Sequence, residues 1–182
     1  MVPHISRARH AGFTLVEILA VVVILGIASA LVIPNLGAQN DQYTQAAARV
    51  VMADLIYAQN QAIVTQTMQY VTFDTVGQAY SILTVSPSTT PLTYAQNPTS
   101  LQNFIRQFGS SATPQLQNVA LSSVSFDTKT TMAFDELGAP YSWDPGANAT
   151  TPFVAAGAVV LSSGNYSMTV SIQPYTANMT AQ

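Results

Sequence analysis

Residues 13–33 read FTLVEILAVVVILGIASALVI, an apolar run of 21 residues interrupted by one carboxylate, Glu17. Wound as an α-helix, the run is about 31 Å long at ~1.5 Å per residue, close to the ~30 Å hydrocarbon core of a bilayer. It exceeds the apolar stretch of a secretory signal, about 7–15 residues, and no clear small-x-small cleavage pattern precedes Pro34. The segment before it, MVPHISRARHAG, carries Arg7 and Arg9 and no acid, and the first charge beyond the run is Asp41. Basic flanks stay in the cytoplasm, so the run reads as a single-pass helix with the bulk of the chain on the far side. Glu17 does not fit a plain anchor. An ionisable group costs roughly 2.5–3.5 kcal/mol near the bilayer centre, less near an end, and the run holds no cation to pair with it. Either Glu17 stays wet among the headgroups or it has a partner elsewhere.

The chain is 182 residues long, enough for one modest domain and an appendage. Only 7% of it is charged, which argues against a highly charged disordered chain. It has no cysteine, so disulfides, thiolate metal sites and thiol nucleophiles are excluded. The formal net charge of −3 works against a nucleic-acid partner.

Pro34-Asn35-Leu36-Gly37 interrupts the helix, since proline removes a backbone hydrogen bond. Helical pattern resumes near Gln42 and runs to about Thr67, with Ala47, Val51, Leu55, Ala58 and Ala62 on one apolar stripe and Arg49, Asn60 and Gln66 off it. From Gln69 the period becomes two. Segments 70–73 and 80–85 flank a glycine turn and predict a hairpin. Residues 86–118 show little pattern beyond a short helix expected at 101–108. Strands are expected at 124–126 and 131–134, then a turn at 134–143 and a terminal hairpin of 158–161 with 167–172. The end from Pro174 is expected to fray. A helix followed by antiparallel hairpins is an α+β domain.

The chemistry-bearing residues are few. A turn that gathered Asp127, Asp135 and Asp144 would offer oxygen ligands to a calcium ion, but their spacing is not that of a helix–loop–helix calcium site and turn-forming aspartate explains them. No metal site and no cofactor is therefore assigned. Tyr141 and Trp143 read as sheet cover rather than as a platform for sugars.

The stretch GFTLVEILAVVVILGIASALVIPNL resembles the amino-terminal signal of type IV pilins and type II secretion pseudopilins. The resemblance implies a leader, 1–12, cut by a prepilin peptidase between Gly12 and Phe13, with N-methylation of Phe13. It matches the family's assembly glutamate to Glu17, its helix glycine to Gly26 and its proline to Pro34. It implies a transmembrane and assembly helix at 13–36 and a periplasmic α+β domain at 37–182, with the long helix as a spine against antiparallel sheet. Charge logic agrees: cleavage frees an amine on Phe13, and methylation leaves it cationic. In a filament that cation can offset the burial of Glu17 in the same or a neighbouring subunit. A looser likeness covers about 100 residues, through AARVVMADLIYAQNQAI and the turn Phe134-Asp135-x-x-Gly138. It resembles the GspH/FimT-type minor pseudopilins.

The resemblance implies a structural subunit, a minor pseudopilin of a type II secretion pseudopilus supporting export across the outer membrane. Its partners would be the prepilin peptidase, the inner membrane and other pseudopilins. The alternative is a minor type IV pilin, FimT-like, acting in pilus assembly or DNA uptake. Loss of residues 1–12 would leave three basic residues, Arg49, Arg106 and Lys129, against eight acids. DNA affinity rises with the number of phosphates neutralised, so nucleic-acid binding is not expected. The two histidines, His4 and His10, would go with the leader. That removes the usual catalytic triads and zinc sets, and no enzyme activity is expected.

Overall fold

The structure is a computed structural model that describes residues 13–32 and 38–182, with side chains for 13–29 and from 39 onward. Contacts divide the chain into two units, Met1–Ala38 and Gln39–Gln182. The leader 1–12 and the interruption expected at 34–37 lie outside the described residues.

In the first unit, α1 spans Leu15–Val32. Thr14 precedes it and accepts the Glu17 N–H at its hydroxyl oxygen (3.2 Å) as well as at its carbonyl (3.1 Å). Its sequence Thr14-x-x-Glu17 is that of a capping box, in which the acid at the third helical position also suits the helix dipole. Every described side chain from Phe13 to Ser29 is exposed.

The second unit opens on α2, Ala38–Thr65, of which all but the first residue belongs to it. It begins four residues before the expected start near Gln42. Ala47, Val51, Leu55, Ala58 and Ala62 are all buried to within 1%, as the spacing predicts. Three of the five are alanines, which let the helix sit close to the sheets. The helix ends at Gln66, whose φ is +52°, with the Thr67 N–H donating to the Ala62 carbonyl at 3.3 Å. This is a left-handed C-terminal cap made without glycine.

All strand pairings are antiparallel. Six strands form one sheet in the order β3-β2-β1-β5-β6-β7: β1 is Gln69–Asp74, β2 Ala79–Leu83, β3 Ile105–Gln107, β5 Thr131–Phe134, β6 Pro140–Asp144 and β7 Ala149–Pro152. Four form a second sheet in the order β10-β9-β8-β4: β4 is Ala120–Ser125, β8 Gly157–Ser163, β9 Tyr166–Ile172 and β10 Met179–Ala181. Phe73 stacks on Tyr80 (5.2 Å between ring centres) and touches Phe126 (5.6 Å), which stacks on Phe153 (5.8 Å). One core thus runs through α2 and both sheets, and all its buried members lie between Ala47 and Ala177.

The α+β architecture, the first hairpin and the terminal hairpin stand where the sequence put them. Three local expectations do not. The turn expected at 134–143 ends early, because Pro140–Asp144 pairs with β5 and β7 as strand β6. Segment 101–108 is not a helix: Ile105–Gln107 pairs with the edge of β2, and Arg106 sits opposite Tyr80. Phe104 and Phe108 are buried while Ile105 and Gln107 are exposed, an alternation of period two. The end is not frayed either, because Met179–Ala181 pairs with β9 and Ala177 is buried.

Candidate functional site

The amino-terminal segment concentrates the residues singled out in the sequence. Of these, Gly12 and Pro34 lie outside the described residues. Phe13 is 78% exposed, one residue ahead of the helix cap. Glu17 sits in the first turn of α1 and is exposed. A Cβ built on Gly26 would meet nothing within 4 Å, so its lack of a side chain serves no contact among the described residues. The Ser29 hydroxyl donates to the Leu25 carbonyl at 2.7 Å, which hides the one other polar group of this stretch beyond the first turn. The result is a helix with apolar side chains on every side and one carboxylate at its start. Among the described residues no helix is long and apolar enough to cross a membrane. The run of 13–33 read from the sequence ends outside them.

The three aspartates considered for calcium are each engaged separately, Asp135 and Asp144 within their own turns and Asp127 with a distant bend. Asp127 accepts the Val154 and Ala155 N–H groups (2.9 and 3.2 Å). Asp135 accepts those of Leu137 and Ala139 (3.0 and 2.7 Å). Asp144 accepts those of Gly146 and Ala147 and the Lys129 ammonium at 2.7 Å. The Lys129 hydrogen bond, with help from the Gly146 N–H, holds the Asp144 carboxyl below its ordinary pKa. No group of three His, Cys, Asp or Glu among the described residues is placed to hold a metal. Trp143 is buried in β6 and Tyr141 half-buried beside it, as parts of the sheet.

Sequence reasoning missed one polar cluster. Asp54 on α2 is buried and accepts the Tyr80 hydroxyl at 2.6 Å and the Arg106 Nε–H at 2.9 Å. The guanidinium lies over the Phe104 ring, 5.2 Å from its centre. Burial above all, and then Asp54, pushes the Tyr80 phenol well up in pKa, while the hydrogen bond Arg106 donates to Asp54 raises that of Arg106. The signal was available: Asp54 falls three residues after Val51 and four before Ala58, a core spacing occupied by an acid.

Comparison with known proteins adds two findings. Residues 7–33 match the family model described as the prokaryotic N-terminal methylation motif. No curated protein matches the chain by sequence. The minor pseudopilin EpsH from the type 2 secretion system of Vibrio cholerae has a similar solved structure, with a TM-score of 0.51 at 9% identity, covering 76% of this chain and 95% of that one. At that identity the likeness is one of fold. The motif at one end and the fold of the rest together support the type IV pilin and pseudopilin superfamily, with a GspH-like architecture.

Proposed function

We propose that the chain is a minor pseudopilin, a non-enzymatic structural subunit of a type II secretion pseudopilus. A prepilin peptidase cuts between Gly12 and Phe13 and Phe13 is methylated. The helix beginning at Leu15 holds the subunit in the inner membrane, with the domain Gln39–Gln182 in the periplasm, until it is drawn into the filament. The observation that carries this reading is the segment at Phe13–Ser29: exposed apolar side chains throughout, behind a basic leader, with one acid in the first turn. Such a surface demands lipid or other apolar helices around it. The EpsH fold supports the secretion setting over other uses of the same motif.

The DNA-uptake alternative draws no support from the cations. Arg106 pairs with Asp54 and Lys129 with Asp144, so only Arg49 is without an acidic partner among the described residues. Intact-mass measurement of the membrane-extracted protein tests the proposal. We expect loss of residues 1–12 and gain of one methyl group, and a product retaining Met1 would overturn the reading. Gly12→Val should leave the precursor uncut, because a side chain there blocks close approach of the peptidase to the backbone.

A further inference from the structure

A cavity of about 340 Å³ lies beside the C-terminal half of α2, lined by Tyr57, Gln61 and Thr65 of the helix, by Gln69 at the start of β1 and by the turn at 97–101. None of its lining residues carries a charge. Gln69 is 2% exposed, and its Oε1 is the one buried side-chain oxygen or nitrogen without a hydrogen-bond partner among the described residues. Proton counting fixes the orientation of this amide. The Thr65 hydroxyl donates to the Gln61 carbonyl at 2.7 Å, so its 2.7 Å contact with the Thr67 hydroxyl needs the Thr67 proton. Both protons are then spent, and the two oxygens can only accept from the Gln69 Nε2 (3.5 and 3.3 Å). The Gln69 Oε1 is left as an acceptor. Burying an acceptor without a donor is costly, and native folds keep few such groups.

Other groups of the lining also spend their donors within the chain. The Tyr57 hydroxyl donates to the Gln96 carbonyl at 2.9 Å, the Gln61 amide to the Tyr57 oxygen at 3.0 Å and the Thr84 hydroxyl to the Thr93 carbonyl at 3.4 Å. What they keep for a ligand is chiefly lone pairs. Leu101, also in the lining, is 72% exposed with φ +57°, a conformation rare for a bulky residue, and adds an apolar contact beside these polar groups. The ligand that fits must bring donors. A cation would lose its water with no counter-charge to replace it. A peptide brings a carbonyl with nearly every N–H, and those carbonyls would meet donors already engaged. A sugar hydroxyl can donate inward and leave its own lone pairs to water.

We propose that this cavity is a binding site for a neutral saccharide, with a sugar hydroxyl donating to the Gln69 Oε1. The domain Gln39–Gln182 contains every member of the core and is used alone. It lacks Phe13, so the result and the mass test of processing stand or fall separately. Glucose, cellobiose, N-acetylglucosamine and chitobiose are titrated in turn into the isotope-labelled domain and followed by NMR. At least one should bind with a Kd of about 1 mM, the range open to a small uncharged ligand. It should shift the side-chain amide signals of Gln69 and Asn97 and the backbone signal of Thr65. Gln69→Leu removes the acceptor while suiting a strand, and should weaken binding about fivefold with the fold intact in thermal unfolding. Gln61→Ala, on the cavity wall and outside the core, should act in the same direction and serves if Gln69→Leu disturbs the fold. No shift at these groups with about 50 mM of any probe would overturn the proposal and leave the Gln69 oxygen to an ordered water. Affinity unchanged in both variants would overturn it too. So would equal binding of N-acetylasparagine amide, which would assign the cavity to a protein side chain.

Discussion

Asp54 occupies a position that α2 otherwise reserves for small apolar residues, and it is tolerable there because two donors meet it. Asp54→Ala would leave the Tyr80 hydroxyl buried without its acceptor and the Arg106 guanidinium without its counter-charge. We expect a loss of about 2–4 kcal/mol, read by urea denaturation of Gln39–Gln182. Tyr80→Phe removes one hydrogen bond and should cost about 1 kcal/mol at neutral pH. The same pair of variants separates in alkali. The unfolded phenol ionises near its ordinary 10.0, whereas in the fold its pKa is raised, so above that pH the folded state holds the extra proton. Stability is full below pH 10 and falls as pH climbs towards the folded value. Tyr80→Phe should therefore show a shallower alkaline decline than the parent. An equally steep decline would mean that other groups govern it.

At the scale of elements, the turn between β5 and β6 shows what the Phe134-Asp135-x-x-Gly138 pattern does. Asp135 caps two backbone N–H groups, and Gly138 adopts φ +82° where a Cβ would lie 2.9 Å from Ile63 and 3.2 Å from Gln59. Gly138→Ala is strained in backbone and in space, and a loss of about 1–3 kcal/mol in thermal or urea unfolding is expected. This motif was legible because turn chemistry is local. So was the stripe on α2, since one face of that helix meets both sheets. What escaped depended on partners distant in sequence. Phe104 and Phe108 stand four apart, which reads as helical, and only the free edge of β2 makes the segment a strand. β10 is three residues long and is defined by β9 alone. In β4 a register shift between Leu121 and Ser123 breaks the alternation, so only its end was recognised. β7 buries none of its residues and so carried no apolar pattern to read. The residues the pilin resemblance singles out fall in or next to the motif matched at 7–33, while the Asp54 cluster joins three elements and needed the fold.

For the whole molecule, charge separates the competing uses of a pilin-like subunit. With Arg106 and Lys129 engaged, Gln39–Gln182 should give no mobility shift with duplex DNA at about 150 mM salt. Sub-micromolar binding that weakens steeply with salt would favour DNA uptake. For assembly we expect Glu17 to matter, and two physical roles are open to it. Within the chain it stands at the acid position of the Thr14-x-x-Glu17 capping-box sequence, whose Thr14 half is formed. Between chains it is the counter-charge proposed for the Phe13 amine once the helix leaves lipid for a bundle of apolar helices. Two substitutions separate these roles. Glu17→Gln keeps a side chain able to complete the capping box but removes the charge, whereas Glu17→Ala removes both. Neither alters the leader or Gly12, so both should insert and be cleaved at the normal rate. If the charge pair sets the register of each incoming subunit, as a buried polar contact does in a coiled coil, both variants should fail to co-purify with partner pseudopilins. If capping alone matters, Glu17→Gln should assemble as the parent does and Glu17→Ala should not. Cross-linking of the processed subunit to its neighbours decides between them, and full assembly of Glu17→Gln would end the charge-pair account.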